Sequence, residues 1–244
     1  MRIAAFETIR MKSIIDVTGH TAGINRRAGI THWKRGRVMA KVRISEALKQ
    51  IALDEGGVES PDEISLYLWQ EQAIPNWVNR SEELPEKQSN DDKEFFGIVA
   101  AVTGSGKTVY ALEAINVWLQ MNPTGNVTIL VPTRVLVNQW RRHLQRAFQQ
   151  PIGQYGGGRK TWHQINVSTM DTGARGFPDV DKEPLIVVDE CHNVGSPTRR
   201  YALLNNPHTA VLGLSATPER EDSGLAVVGN LCGPVVFRYG YREA

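Results

Sequence analysis

Ala101-Val102-Thr103-Gly104-Ser105-Gly106-Lys107-Thr108 is the stretch on which the reading of this chain turns. It follows an apolar run, Phe95–Val102, of strand length, and it precedes a segment with helical periodicity. A glycine-rich loop between a strand and a helix is the context in which backbone N–H groups close around phosphate oxygens. The helix N-terminus adds partial positive charge at the same place. Thr103, Gly104, Ser105 and Gly106 then form the cradle. Lys107 reaches the β- and γ-phosphates, and the Thr108 hydroxyl ligates Mg²⁺. The general motif begins with Gly, and here Ala101 stands in that place. A second glycine-rich stretch, Gly156-Gly157-Gly158-Arg159-Lys160-Thr161, lacks the Gly-Lys-Thr core and reads as a tight turn.

Outward from the loop, short apolar runs alternate with helix-period segments. Phe95–Val102, Val127–Val131, Ile165–Ser168, Leu185–Val188 and Ala210–Leu214 read as buried strands. Leu136, Trp140, Leu144 and Phe148 mark one face of a helix, with Thr133 as its N-cap and Pro151 past its end. This alternation predicts an α/β fold, a mostly parallel sheet flanked by helices. Such sheets bind ligands outside the carboxyl ends of their strands. The run Leu185–Val188 ends in Asp189-Glu190-Cys191-His192. A strand buried on both faces delivers both acids to the edge that carries the phosphate loop. Asp189 is placed to hold Mg²⁺, and Glu190 to orient and deprotonate an attacking water. Cys191 reads as buried packing, and His192 by itself as no more than a core histidine.

Upstream the sequence is less legible. Ile44–Leu53 reads as a helix ended by Gly56-Gly57. Ser60-Pro61-Asp62-Glu63 has the form of a capping box that opens another helix, which Pro75 should kink or end. Arg80–Lys93 reads as a polar surface linker. The expected organisation is a small basic extension over 1–60, a helix and linker over 61–94, and an α/β domain over 95–244. The net charge of +2 hides an asymmetry. Residues 1–43 hold ten Lys/Arg against two acids, a balance of +8, while the other 18 basic and 24 acidic residues give −6. A basic arm on a mildly acidic body fits an anionic partner, and equally a solvated tail. No apolar run of 18 residues is present, so no membrane span is expected. Two cysteines exclude a disulfide framework, and a reducing, cytoplasmic setting, with nucleoid association possible, fits them.

The motifs together resemble superfamily 2 helicases. Asp189-Glu190-Cys191-His192 is similar to that family's Asp-Glu-x-His box, and Ala commonly opens its phosphate loop. Val131-Pro132-Thr133-Arg134-Val135-Leu136-Val137-Asn138-Gln139-Trp140 resembles the motif that touches the nucleic-acid backbone, through Thr133 and Arg134 here. Ser215-Ala216-Thr217 resembles the motif that couples hydrolysis to strand movement. Leu66–Ala73 resembles the glutamine motif, with Gln70 reading adenine. Arg220-Glu221-Asp222 just after the coupling motif, and Gly233-Pro234-Val235-Val236 beyond, look like the XPB-type branch and its bacterial and phage relatives; Arg220 is then a nucleic-acid contact. The resemblance covers residues 64–244. It implies a RecA-like domain that uses ATP and Mg²⁺, acts on DNA ahead of RNA, and faces a second RecA-like domain carrying an arginine finger. No candidate for that second domain's motifs stands before Ala244.

Three functions remain open on these residues. One is an ATP hydrolase of the DNA helicase or translocase kind, nearly inactive until a second domain completes it. Another is a nucleotide-dependent nucleic-acid-binding module without turnover of its own. The third is an RNA helicase.

Overall fold

The computed structural model describes residues 67–78, 95–178, 184–216 and 224–240, all within the compact unit Arg43–Ala244. The basic extension, the expected helix over 44–53, the capping box at Ser60, the polar linker, Thr217 and Arg220 lie outside the described residues.

Eight strands form one sheet: β1 Phe96–Ala101, β2 Asn126–Val131, β3 Ile152–Gly156, β4 Arg159–Thr161, β5 Ile165–Thr169, β6 Pro184–Val188, β7 Ala210–Ser215 and β8 Val235–Tyr239. Their order is β4-β3-β5-β2-β6-β7-β1-β8. Every pairing is parallel except β3 with β4. The helices are α1 Leu68–Val78, α2 Lys107–Met121, α3 Arg134–Phe148, α4 Met170–Gly173, α5 Tyr201–Leu204 and α6 Gly224–Cys232, with a 3₁₀ turn over Cys191–Gly195. The expected α/β architecture is the one observed.

β1, β2 and β7 are buried at every position, which is why they read as unbroken apolar runs. The buried core around β1, β6 and β7 includes Ile98, Ile186, Val188 and Val211, and Cys191 and Cys232 lie within it. Hydrogen bonding with Cys232, then burial, pushes the Cys191 thiol well above its usual range, so it serves packing. In α3 the buried side chains are Val137, Trp140 and Leu144, while Leu136 and Phe148 are half-buried. The buried stripe steps by three and then four, because a helix has 3.6 residues per turn. Thr133 caps α3 as expected, its hydroxyl accepting from the Leu136 N–H at 3.4 Å.

One expectation needs correction. Pro75 neither ends nor visibly breaks α1, which runs on to Val78. Pro75 lies on the exposed face, whereas Trp69, Gln70, Ala73, Ile74 and Trp77 are buried on the other. Trp77 donates its indole N–H to the Val211 carbonyl at 2.9 Å and meets Phe95 edge-on at 5.2 Å. Trp69 stacks on Tyr239 at 5.2 Å. Burial of such rings is worth about 1.5–3 kcal/mol each, comparable to the ~3 kcal/mol a helix loses to an internal proline. The Gly156–Gly158 stretch is a tight turn, as expected, and it closes a hairpin between two strands that carried no apolar run. Gly157 and Gly158 both have positive φ, the conformation that two-residue hairpin turns require.

Candidate functional site

The topology brings three strand ends together. β7 lies between β6 and β1, so Ser215 at the end of β7 falls between the acidic pair after β6 and the phosphate loop after β1. The loop backbone turns on Gly104 and Gly106, at φ 81° and 86°. A Cβ on Gly106 would come within 2.7 Å of the Gln70 side-chain nitrogen. That close approach is a hydrogen bond from Gln70 Nε2 to the Gly106 carbonyl at 2.9 Å, while Gln70 Oε1 accepts from the Tyr67 N–H at 2.9 Å. α1 is thereby fastened to the loop through a side chain that is 1% exposed. Ser105 Oγ donates to the Val102 carbonyl at 2.7 Å. Thr103 and Gly104 stand exposed at the tip, and Thr108 sits half-buried in the first turn of α2.

Lys107 Nζ donates to the Ala101 and Val102 carbonyls at 2.8 and 3.1 Å. Burial lowers its pKa below the ordinary lysine range, while the charges of Glu190 and Asp189 act to hold it up. The same two acids therefore reach Lys107 electrostatically, as a phosphate site between them requires. Asp189 lies deeper. Burial pushes its carboxyl above the usual range, and Glu190's charge adds to that; a hydrogen bond from Trp140 and the charge of Lys107 pull it back. Trp140 Nε1 donates to Asp189 Oδ2 at 2.8 Å. Sequence reading placed Trp140 only on a helix face; its 49-residue separation from Asp189 left no local signal of the bond.

Glu190 sits in the left-handed region at φ 49°, the first residue past the strand's turn. A non-glycine residue held there stores strain of order 1–3 kcal/mol, a mark of functional sites. Its carboxylate lies 3.4 Å from His192 Nδ1, which is also 3.3 Å from Ser215 Oγ. His192 is thus no mere core histidine: it joins the acidic pair to the end of β7. Among the described residues no cluster of three His, Cys, Asp or Glu could hold a metal by itself. The oxygen donors Thr108 and Asp189 fit Mg²⁺, which binds through one or two protein oxygens together with substrate phosphates.

A groove of about 210 Å³ opens beside this site, between the start of α3, the β3–β4 hairpin and the end of β5. Arg134, Asn138, Gln154, Tyr155, Arg159 and Thr169 line it. Arg134 and Arg159 have no carboxylate partner among the described residues. Of the residues chosen from sequence, Arg134 lines this groove and Thr133, the α3 cap beside it, does not; Arg159 was not chosen, because the hairpin that presents it gave only a turn signal.

The family model described as "Type III restriction enzyme, res subunit" matches residues 63–220, more than half of the chain. The chain belongs to this family. Among curated proteins it is 29% identical over 204 residues to the DNA 3'-5' translocase XPB2 of Sulfurisphaera tokodaii, covering 80% of this chain and 42% of that one. It is 38% identical over 148 residues to a Haloarcula marismortui protein named for a DNA 3'-5' helicase, Rad25, covering 57% of this chain and 23% of the relative. The chain thus spans less than half the length of these relatives. Its fold is similar to the Sulfolobus solfataricus SWI2/SNF2 ATPase core solved with double-stranded DNA, with TM-score 0.54 and 19% identity over 70% of this chain and 36% of the other. This is the first RecA-like domain of a superfamily 2 helicase, with XPB-type homologues, as its motifs imply. Among the described residues no helix is long and apolar enough to cross a membrane.

Proposed function

We propose that this chain is the ATP-binding half of a motor that moves on DNA. The observation that carries the reading is the shared strand edge: phosphate loop, acidic pair and arginine-lined groove all open at the carboxyl ends of one parallel sheet. Ala101–Thr108 acts as a Walker A loop and Asp189–His192 as a DEAH-type box. Thr103, Gly104, Ser105 and Gly106 cradle the phosphates by their N–H groups, and Lys107 leaves its carbonyl partners to meet the β- and γ-oxygens. Gln70 reads adenine with the amide hydrogen and oxygen lone pair that its two protein bonds leave over. Thr108 and Asp189 hold Mg²⁺, which when bound offsets charge on the phosphates. Glu190 accepts a proton from the attacking water and orients it. Ser215 and Thr217 couple this event to the strand, and Thr133, Arg134 and Arg220 hold the nucleic-acid backbone.

Stabilising the γ-phosphate also needs charge from the opposite side, worth about 10³–10⁵ in rate where an arginine finger supplies it. A facing RecA-like domain, in cis or in trans, is the expected source. The setting is intracellular, where DNA and ATP are found together. The test is steady-state ATP hydrolysis by this chain alone and with a second RecA-like domain, each with DNA, with RNA and without either. The chain alone should turn over very slowly, and DNA should stimulate the pair more than RNA does. Lys107→Ala should abolish that signal and ATP binding while circular dichroism stays the same. Binding without any stimulated turnover in the pair would instead identify a nucleotide-dependent clamp, and stronger stimulation by RNA would identify an RNA motor.

A further inference from the structure

Asn193 and Arg199 lie outside the motifs, yet their contacts fix the chemistry of His192. Arg199 Nη1 donates to Asn193 Oδ1 at 3.2 Å. A guanidinium has only donors, so the atom it meets must be the amide oxygen. Asn193 Nδ2 donates to the Glu190 carbonyl at 2.9 Å, and a carbonyl only accepts. Two independent partners therefore set the orientation of this amide, with its NH₂ turned toward the acidic box. The same NH₂ lies 3.1 Å from His192 Nε2. An amide nitrogen cannot accept a hydrogen bond, so Nε2 must be the bare nitrogen of the ring. The imidazole proton then resides on Nδ1, within 3.4 Å of Glu190 Oε2 and 3.3 Å of Ser215 Oγ.

We infer that Arg199 and Asn193 are positioning residues that lock His192 as its Nδ1–H tautomer, so that the ring N–H donates to Ser215 Oγ and stands, as a fixed positive dipole end, beside the Glu190 carboxylate 3.4 Å away. Arg199 is itself held by Asp171, whose Oδ1 accepts from Nε at 3.0 Å. Asp171 lies in the first turn of α4, two residues after Thr169, which lines the groove and caps that helix. The outer end of this chain of contacts is thus anchored beside the groove, and its inner end touches the water-activating acid. The tautomer follows from the hydrogen bonds alone; its consequence for hydrolysis rests on the motor reading above.

Long-range ¹H–¹⁵N correlation spectra of this chain, with His192 assigned by the loss of its signals in His192→Gln, decide the tautomer. The native protein should show His192 with Nδ1 protonated and Nε2 bare, the reverse of the form free histidine prefers in water. Asn193→Leu keeps the side-chain size and removes every donor, and should return His192 toward Nε2–H. If that variant fails to fold, Asn193→Asp serves. A carboxylate facing Nε2 accepts where the amide donated, so the ring proton should move from Nδ1 to Nε2. Native spectra with Nε2 protonated, or spectra unmoved by a folded variant, would overturn the inference. In the protein completed by its second domain, Asn193→Leu should lower kcat for ATP about tenfold with KM unchanged, since it disturbs only the orientation of a reacting group. A loss confined to KM would also overturn it. Absence of ATP binding by the native chain would count against the motor reading and not against the tautomer, which the spectra measure without nucleotide.

Discussion

Asp189 keeps a carboxylate where burial disfavours its charge, with the Trp140 indole, the Glu190 backbone N–H and the charge of Lys107 acting to restore it. If the proposed Mg²⁺ role is what keeps it there, the cost of its burial should be visible without the ion. Asp189→Asn should raise the melting temperature of the chain in chelator, by roughly 2–4 °C if the relief is about 1 kcal/mol. The same substitution should weaken Mg·ATP binding in calorimetry. Glu190→Gln should leave that binding nearly intact and slow hydrolysis in the assembled enzyme about 10²-fold or more, because it removes only the base. Equal losses of nucleotide affinity would show the two roles misassigned. Glu113 on α2 is a second buried acid: one carboxyl oxygen accepts from Asn116 at 3.3 Å, and the other is buried without a partner. Burial pushes its carboxyl from 4.5 up to about 6. The folded state therefore holds this proton more tightly than the unfolded chain. The resulting stability is present in full below pH 4.5 and is lost as pH rises through about 6, a change of about 2 kcal/mol. Urea unfolding of Glu113→Gln should lack that loss, so native protein and variant should diverge between pH 4.5 and about 7.

At the scale of elements, α3 does two jobs at once. Its apolar stripe, Val137, Trp140 and Leu144, holds it to the sheet, and its first residue, Arg134, lines the groove. Trp140 is where the two meet, since its ring is core and its N–H reaches Asp189. Trp140→Phe separates these roles, keeping an aromatic ring and deleting the donor. Stability should fall modestly, by about 1–3 kcal/mol for a lost bond to a buried charged group together with a smaller ring. Mg·ATP affinity should fall several-fold more than in a variant of equal stability loss at Leu144, measured by calorimetry on both. Equal affinities in the two would reduce Trp140 to packing. α1 shows a related economy of contact. Trp77 secures it to the sheet and Gln70 secures the phosphate loop to it, so a helix 36 residues upstream shapes the nucleotide site.

For the whole molecule, the proposed DNA partner raises the question of how a body of charge −6 would meet a polyanion. Local placement answers part of it, through Arg134 and Arg159 in the groove and exposed Lys160 on the same hairpin. The +8 of residues 1–43 is the other part. If that arm neutralises phosphates, deleting residues 1–43 should weaken DNA binding. It should also flatten the dependence of log affinity on log salt, by about 0.9 for each phosphate that the arm had neutralised. Fluorescence anisotropy over a salt series measures both, and unchanged affinity and slope would make the arm a solvated tail.

The sequence by itself determined the centre of the sheet and the place of the glycine-rich loop at its edge. β1, β2, β5, β6 and β7 are buried nearly throughout, so selection for apolar residues wrote each of them as a continuous run. Lys107, Thr108, Asp189 and Glu190 lie at the ends of those runs, where position along the chain already implies position at the sheet edge. Tertiary structure decided the rest. β3 and β4 are half-exposed or exposed along much of their length, so no apolar pattern announces them, and their hydrogen-bonding neighbours alone make them strands; β8 carries Val235-Val236-Phe237, yet it is half-exposed and its place at the sheet edge beside β1 comes only from the fold. Pro75 reads as a helix end because propensity is local, yet Trp69 and Trp77 on either side anchor the helix across it. Trp140 with Asp189, Gln70 with Gly106 and Arg199 with Asn193 are side-chain bonds whose partners are chosen by packing. A donor's residue type states what it can bond; only the folded chain brings one acceptor within hydrogen-bond reach and excludes water from the rest.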